Sequence, residues 1–275
     1  MANEVEKLNG IALADIEKIN GIAFASIEKV NGRTDANIEK INGIEFSAPS
    51  FGPPAFVQSV DRNYGASSSP VQGDITVGSG AGRALIVSMQ VRDDDASIET
   101  TGCTFTLTGG SAETFTKLVD VGPAAMTDQF GSDPYHELSI WGLLNPSSGA
   151  GTVNATMNRT ANYSTGMKII ELTGVKQSGS IATVLSGTGS ATTSQSQAIS
   201  TTAGQIVIDT ISLSDAAATN GAVGGGQTQV GAFTSGGKGG SYETASGAST
   251  TMSWSWDNSS NVLWAIAAII SDVYS

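Results

Sequence analysis

Ala84-Leu85-Ile86-Val87-Ser88-Met89-Gln90-Val91 is a run of mostly β-branched and large apolar residues, preceded by Gly82-Arg83 and closed by Asp93-Asp94-Asp95. A short apolar run between polar or glycine boundaries reads as a buried strand. Similar runs recur downstream and upstream: Phe56 to Val60, Asp74 to Val77, Thr104 to Leu107, Glu137 to Leu144, Gly166 to Leu172, Gln205 to Leu213, Thr250 to Trp256 and Val262 to Ser271. Gly, Ser and Asp clusters separate them, and none shows a helical period. The spacing predicts an all-β fold, an antiparallel β-sandwich of jelly-roll-like type over a single core.

Composition agrees. Charged residues are 14% of the 275, and Gly, Ser, Thr and Ala dominate, which suits short strands and tight turns. The net charge of -12 argues against a nucleic-acid partner, because such proteins carry a basic stripe that releases counterions. Met-Ala-Asn-Glu-Val-Glu-Lys lacks the basic start and apolar core of a secretory signal. The longest apolar stretch, Val262 to Ile270, is about half of the roughly 20 residues that a membrane-spanning helix needs, so no membrane insertion is expected. Cys103, the one cysteine, lies in an alternating run and reads as a buried core residue.

The first 48 residues are different. Val5-Glu6-Lys7-Leu8-Asn9-Gly10, Ile16-Glu17-Lys18-Ile19-Asn20-Gly21, Ile27-Glu28-Lys29-Val30-Asn31-Gly32 and Ile38-Glu39-Lys40-Ile41-Asn42-Gly43 repeat every 11 residues. Asp15, Ser26 and Asn37 are N-cap types and each Asn-Gly is a stop, so each unit reads as one capped helical turn followed by a short extended segment. A continuous right-handed coiled coil is the competing reading of this period, but each interior glycine would cost it about 1 kcal/mol. The apolar positions Ile16, Ile19, Ile22, Phe24, Ile27, Ile38, Ile41, Ile44 and Phe46 cannot be covered within one unit, which points to attachment or oligomerisation. In the third unit Arg33 and Asp35 replace apolar residues, which predicts a loop-out or a partner contact there. Pro49, Pro53 and Pro54 break both patterns, giving a repeat segment 1–48, a linker 49–54 and a display domain 55–275.

The Ile-Glu-Lys-Val/Ile-Asn-Gly units resemble those at the start of predicted phage structural proteins. Ala84 to Ser88, Ser139 to Pro146, Ile169 to Val175 and Trp264 to Ala268 resemble, in the same order, a β-sandwich common in phage fibres and bacterial extracellular proteins. The resemblance implies a virion fibre, spike or decoration protein of head or tail, assembled in the host cytoplasm. It implies other virion proteins as partners and a homo-oligomer, a trimer by analogy with fibres. A bacterial carbohydrate-binding or adhesin module is the alternative.

Residue by residue, chemistry is sparse, and neither catalysis nor a cofactor is expected. His136 is the one histidine, in Asp133-Pro134-Tyr135-His136-Glu137, and reads as a turn entering a strand. Glu137 and Glu171 are the candidates for a paired-carboxylate site. Asp93, Asp94 and Asp95 offer the oxygen ligands that calcium prefers, without the spacing of a calcium loop. Gly224 to Gly226 and Gly236 to Gly240 read as flexible loops. Among the aromatics, Trp254 and Trp256 share one face and read as core. Tyr135, Tyr163 and Tyr242 stand in polar surroundings and are the candidates for stacking on host-surface glycan.

Overall fold

The computed structural model describes residues 53–64, 69–127, 134–214, 220–233 and 237–271, together with the paired strands of the N-terminal repeat. Two units are present, Met1–Ser50 and Phe51–Ser275, and their boundary falls in the proline-rich break.

In the first unit each repeat is a β-hairpin. β1 (Lys7–Leu8) pairs with β2 (Ile11–Ala12), β3 (Lys18–Ile19) with β4 (Ile22–Ala23), β5 (Lys29–Val30) with β6 (Arg33–Thr34), and β7 (Lys40–Ile41) with β8 (Ile44–Glu45). The helical turn is therefore overturned: Lys-Leu, Lys-Ile and Lys-Val belong to strands. Asn-Gly separates the strands of each pair, and two-residue connections in hairpins favour Asn-Gly because both positions need positive φ. The same dipeptide that can stop a helix is a stronger signal for a hairpin. The third unit pairs Val30 with Arg33 in the register of the others, so no loop-out occurs there. Ile19, Ile22, Ile41 and Ile44 lie on these strands; Ile16, Phe24, Ile27, Ile38 and Phe46 are outside the described residues.

The second unit is an antiparallel β-sandwich, as predicted. Its strands are β9 (Ala55–Tyr64), β10 (Val71–Val77), β11 (Ala84–Asp93), β12 (Thr100–Leu107), β13 (Ala112–Thr114), β14 (Thr116–Ala125), β15 (Tyr135–Leu144), β16 (Gly149–Met157) and β17 (Ser164–Thr173). There follow β18 (Ala182–Ser200), β19 (Ile206–Leu213), β20 (Ala222–Val223), β21 (Thr228–Gln229), β22 (Lys238–Thr244) and β23 (Ser249–Ile269). They form three sheets: β10-β16-β12-β13, β14-β15-β11-β17-β9, and β18-β23-β19-β22-β21 with β20 on β23.

The middle sheet is covered on both faces, so the predicted single core is instead divided. On one face Leu85, Val87, Met89 and Ile169 meet Ile75, Phe105, Cys103 and Val153 of the first sheet. On the other, Ala84, Ile86, Leu138 and Ile140 meet Ile206, Ile208, Leu263 and Ala267 of the third. A third cluster lies on the far face of the third sheet, where Val207, Ile211 and Ile266 pack with Ile199, Met252, Trp254 and Trp256. Trp254 and Trp256 are thus core residues, as is Cys103, whose thiol burial pushes up to about 12.

Two strands read separately, Thr250 to Trp256 and Val262 to Ser271, are one. β23 is continuous through Asp257-Asn258-Ser259, which have no register partner on β18 and lie opposite that strand's irregular stretch, where the register shifts between Gly189 and Ser194. Gly239 and Gly240 lie in a strand rather than a flexible loop. A Cβ at Gly240 would stand 2.7 Å from Lys168 Cδ, and one at Gly239 2.7 Å from the Trp254 ring, so these glycines make room for large side chains.

A chain beginning at Phe51 is expected to unfold in one cooperative transition by urea with tryptophan fluorescence, since all three core clusters lie within it. A broad, non-cooperative curve would refute the boundary.

Candidate functional site

β11 carries the site at its C-terminal end. Its register sets Arg92 opposite Ser164 on β17 and Asp93 opposite Tyr135 on β15. Beyond Asp93 the chain turns at once, and the Asp93 carboxylate causes the turn: its Oδ1 accepts the amides of Asp94 (2.6 Å) and Asp95 (3.2 Å). Asp95 Oδ1 in turn accepts the amide and hydroxyl of Ser97, both at 2.7 Å. Ile98 then re-enters the core.

A second loop, Asn158 to Tyr163, is laced to this turn. Asn158 Oδ1 accepts the Glu99 amide at 3.1 Å, and the Asn158 amide reaches the Glu99 carbonyl at 3.0 Å. Arg159 bonds Asp95, with its Nε 3.7 Å from Asp93 Oδ2. Asn162 Nδ2 donates to Asp94 Oδ1 at 2.6 Å. Tyr163 stands beside them 45% exposed, its ring 5.0 Å from the Arg92 guanidinium carbon. A cation behind one face of a ring holds the ring in place and leaves the other for a ligand. The result is an exposed aromatic face flanked by an amide and carboxylates on two mutually bonded loops.

The sequence candidates are redistributed accordingly. Tyr163 and the aspartates, singled out for different reasons, come together. Tyr135 is half-buried and packs against the first core cluster. Tyr242 stacks on Phe56, centroids 4.4 Å apart and planes 9° apart, in the second cluster. Neither presents a platform. The calcium reading is not supported: the oxygens of Asp93, Asp94 and Asp95 are directed to backbone amides, Asn162 and Arg159, and among the described residues no three acidic, histidine or cysteine side chains converge on a metal position. Burial raises the Asp93 carboxyl above its usual range; hydrogen bonds from Asp93 and Asn162 lower that of Asp94, and those from Ser97 lower that of Asp95. Asn162 and Arg159 were missed; only their proximity to a polar tyrosine could have flagged them.

The remaining titratable candidates are interior. His136 is on β15 rather than in a turn, fully buried, with Nδ1 2.9 Å from Ser212 Oγ. This is not a nucleophile and base, since Ser212 is equally buried and no carboxylate bonds the imidazole. Burial and the positive charges of Arg92 and Lys238 hold its pKa well below normal. Lys238, buried with Ser164 as its hydrogen-bond acceptor, falls to about 7 through burial and the positive charges of Arg92 and Lys168. Asp209 rises to about 7 through burial, against hydrogen bonds from Ser241 Oγ and Trp254 Nε1; the cavity beside it is about 10 Å³, room for no more than about one water.

Glu137 and Glu171 do not form a pair. They face Val91 and Leu85, six positions apart along β11, which at about 3.3 Å per residue is roughly 20 Å. Glycosidase carboxylates stand about 5–9.5 Å apart. Glu171 is held by Gln58 Nε2 (2.5 Å) and the Gly78 amide (2.8 Å). Glu137 accepts a hydrogen bond from Thr100 Oγ1 at 2.8 Å, and burial pushes it up to about 7.

No protein-family model matches this chain, and no curated protein matches it. No helix among the described residues is long and apolar enough to cross a membrane.

Glu137 generates a test. Folded, it keeps its proton to about pH 7, whereas an unfolded glutamate releases it near 4.5; the folded state therefore binds the extra proton in that window, and stability falls as pH rises through it. Glu137→Gln keeps an acceptor for Thr100 and is expected to flatten the fall by about 3 kcal/mol. Urea titrations from pH 4.5 to 8 check this; equal slopes for both proteins would refute it.

Proposed function

We propose that this chain is a non-catalytic structural protein of a phage particle, a fibre, spike or decoration subunit, that docks through its N-terminal hairpins and offers the Tyr163 end of its sandwich to host-surface glycan. The single observation that carries the ligand half is the meeting of Tyr163, Asn162 and Asp94 on one exposed surface with the ring backed by Arg92. Sugars present apolar C–H faces and hydroxyl edges. Aromatic stacking takes the first, amides and carboxylates the second. The groups with the most displaced proton affinities among the described residues, Cys103, His136, Glu137, Asp209 and Lys238, are all buried, which favours binding over catalysis.

The virion half rests on the repeat. Its four hairpins pair strands of only two residues each, and a two-stranded hairpin is marginal in water unless it packs on something. Other virion proteins, or the hairpins of neighbouring subunits in a trimer, would supply that cover. A shallow site of this kind binds weakly, and many copies on one particle would raise avidity by roughly 10²–10⁴.

Retention of the full-length protein on extracted host polysaccharide is expected to fall at least about tenfold for Tyr163→Ala, a loss near 1.4 kcal/mol. Asn162→Ala should weaken it less. Tyr242→Ala should instead lower the thermal midpoint, by removing the stack on Phe56, and retain binding below that midpoint. Tyr163→Ala bound as well as wild type sinks the glycan site. Mass spectrometry of purified particles tests the virion assignment, and particles lacking the chain would overturn it.

Sedimentation of full-length protein and of the chain beginning at Phe51 tests the repeats. The full chain is expected to sediment as the larger oligomer; equal oligomeric states, with no binding of the repeat to particles, would remove attachment through residues 1–48.

A further inference from the structure

Sheet edges expose unpaired backbone donors and acceptors, and proteins ordinarily shield them with charge, proline, bulges or shortness. Most described edges here are shielded. β13 has three residues, and β20 and β21 have two each. β10 carries Asp74; β9 carries Asp61 and Arg62 and has a register shift against β17. β14 has Lys117, Asp120, Pro123 and two register shifts.

β18 is the exception. It is 19 residues long, lies at the edge of the third sheet, and from Ala182 to Gly189 pairs with β23 in unbroken register. Between Gln177 and Ile208 there is no charged residue and no proline. Thr183, Val184, Leu185 and Ser186 are all exposed although successive residues point to opposite faces, so both faces of this stretch are open. Val184 and Leu185, at 40% and 37%, are among the few large apolar side chains left in solvent. Beside them a groove of about 550 Å³ is lined by Leu118, Leu143, Leu144, Ile181 and Val184, with Thr114, Thr116 and Ser180 and with Lys117, whose charge is paired with Glu99 and Asp120.

We infer that residues Ala182–Gly189 pair antiparallel with the same residues of a second copy, about a two-fold axis, to make one sheet continuous across two subunits. Charge selects the partner. In a two-fold antiparallel contact residue i meets residue j and j meets i, so 182 would face 189 and 185 would face 186, and any charge near the axis would stand close to its own copy. At a net charge of -12 two copies repel each other, and β18 is the long edge among those described whose own residues bring no charge to a self-paired contact. The groove takes the aliphatic side chains that the incoming strand carries.

The test is sedimentation equilibrium of the full-length protein up to about 100 μM, a range suited to a contact of modest area, with hydrogen exchange of the outward-facing amides of 182–189, the alternate ones that β23 leaves unbonded, on the same samples. Val184→Lys/Leu185→Lys places four lysines across the axis at exposed positions that folding tolerates; Val57→Lys, exposed on β9, is the control. Wild type and the control should associate, with those amides protected at high concentration. The double variant should have half the wild-type mass and leave those outward-facing amides unprotected, whether the repeats contribute three-fold association or none. Wild type that leaves them unprotected at every concentration overturns the pairing and leaves the edge to a different strand donor. So does a double variant with wild-type mass and protection. Loss of glycan retention or of particle incorporation does not enter either readout.

Discussion

The three central strands of the middle sheet, β15, β11 and β17, have no solvent face, and this double coverage governs the rest of the second unit. All ten residues of β11 are buried. A strand in that position cannot alternate apolar and polar; each side chain must be apolar or find a partner inside. Ala84 to Met89 largely take the first course. Gln90 takes the second, donating to the carbonyls of Ile211 and Gly239 and to the Thr210 hydroxyl across the sheet interface. Lys168 meets Asp61 at 2.8 Å in the same layer, with Gly240 giving it room.

The interior therefore changes character along the strands. Aliphatic packing fills the layer between the middle and third sheets at one end, and Gln90, Arg92, His136, Lys168 and Lys238 occupy the other. Burial first, and then the positive charges there, hold His136 and Lys238 toward their neutral forms, since a low dielectric penalises each further cation. Arg92 joins the buried layer to the surface, because its guanidinium ends behind Tyr163. The exposed site thus stands at the end of a fully buried strand, which supplies its cation, its turn-forming aspartate and its register against Tyr135 and Ser164. A ligand meeting such loops would find them already bonded to one another, which limits the entropy lost on binding.

The repeat unit obeys a different constraint. Its strands are two residues long, and what sets their pairing is local turn chemistry. Lys-Ile-Asn-Gly-Ile can be parsed as the end of a helix or as a hairpin, because a positive-φ glycine serves both. The 3.6-residue period cannot be told from a two-residue strand over so short a window, and the helical parse loses where the flanking pairs join.

The amino-acid sequence determined the all-β class, the position of most long strands, the inward side of Trp254 and Trp256, the repeat period and the break at Pro49 to Pro54. Each is written in local alternation, composition or turn chemistry. Strands such as β18, rich in Ser, Thr, Gly and Gln, left no such trace, since their pairing depends on β23 rather than on their own side chains. The division of the core into three was equally invisible, because an apolar run does not say how many sheets cover it. The site was half legible: Tyr163 and Asp93 to Asp95 stood out as residue types, but their meeting with Asn162, Arg159 and Arg92 was decided by the register of β11 against β17, some 70 residues away along the chain. Tertiary structure alone made that choice, because sheet register is set by which side chains fit the core, and only the folded layers supply that comparison.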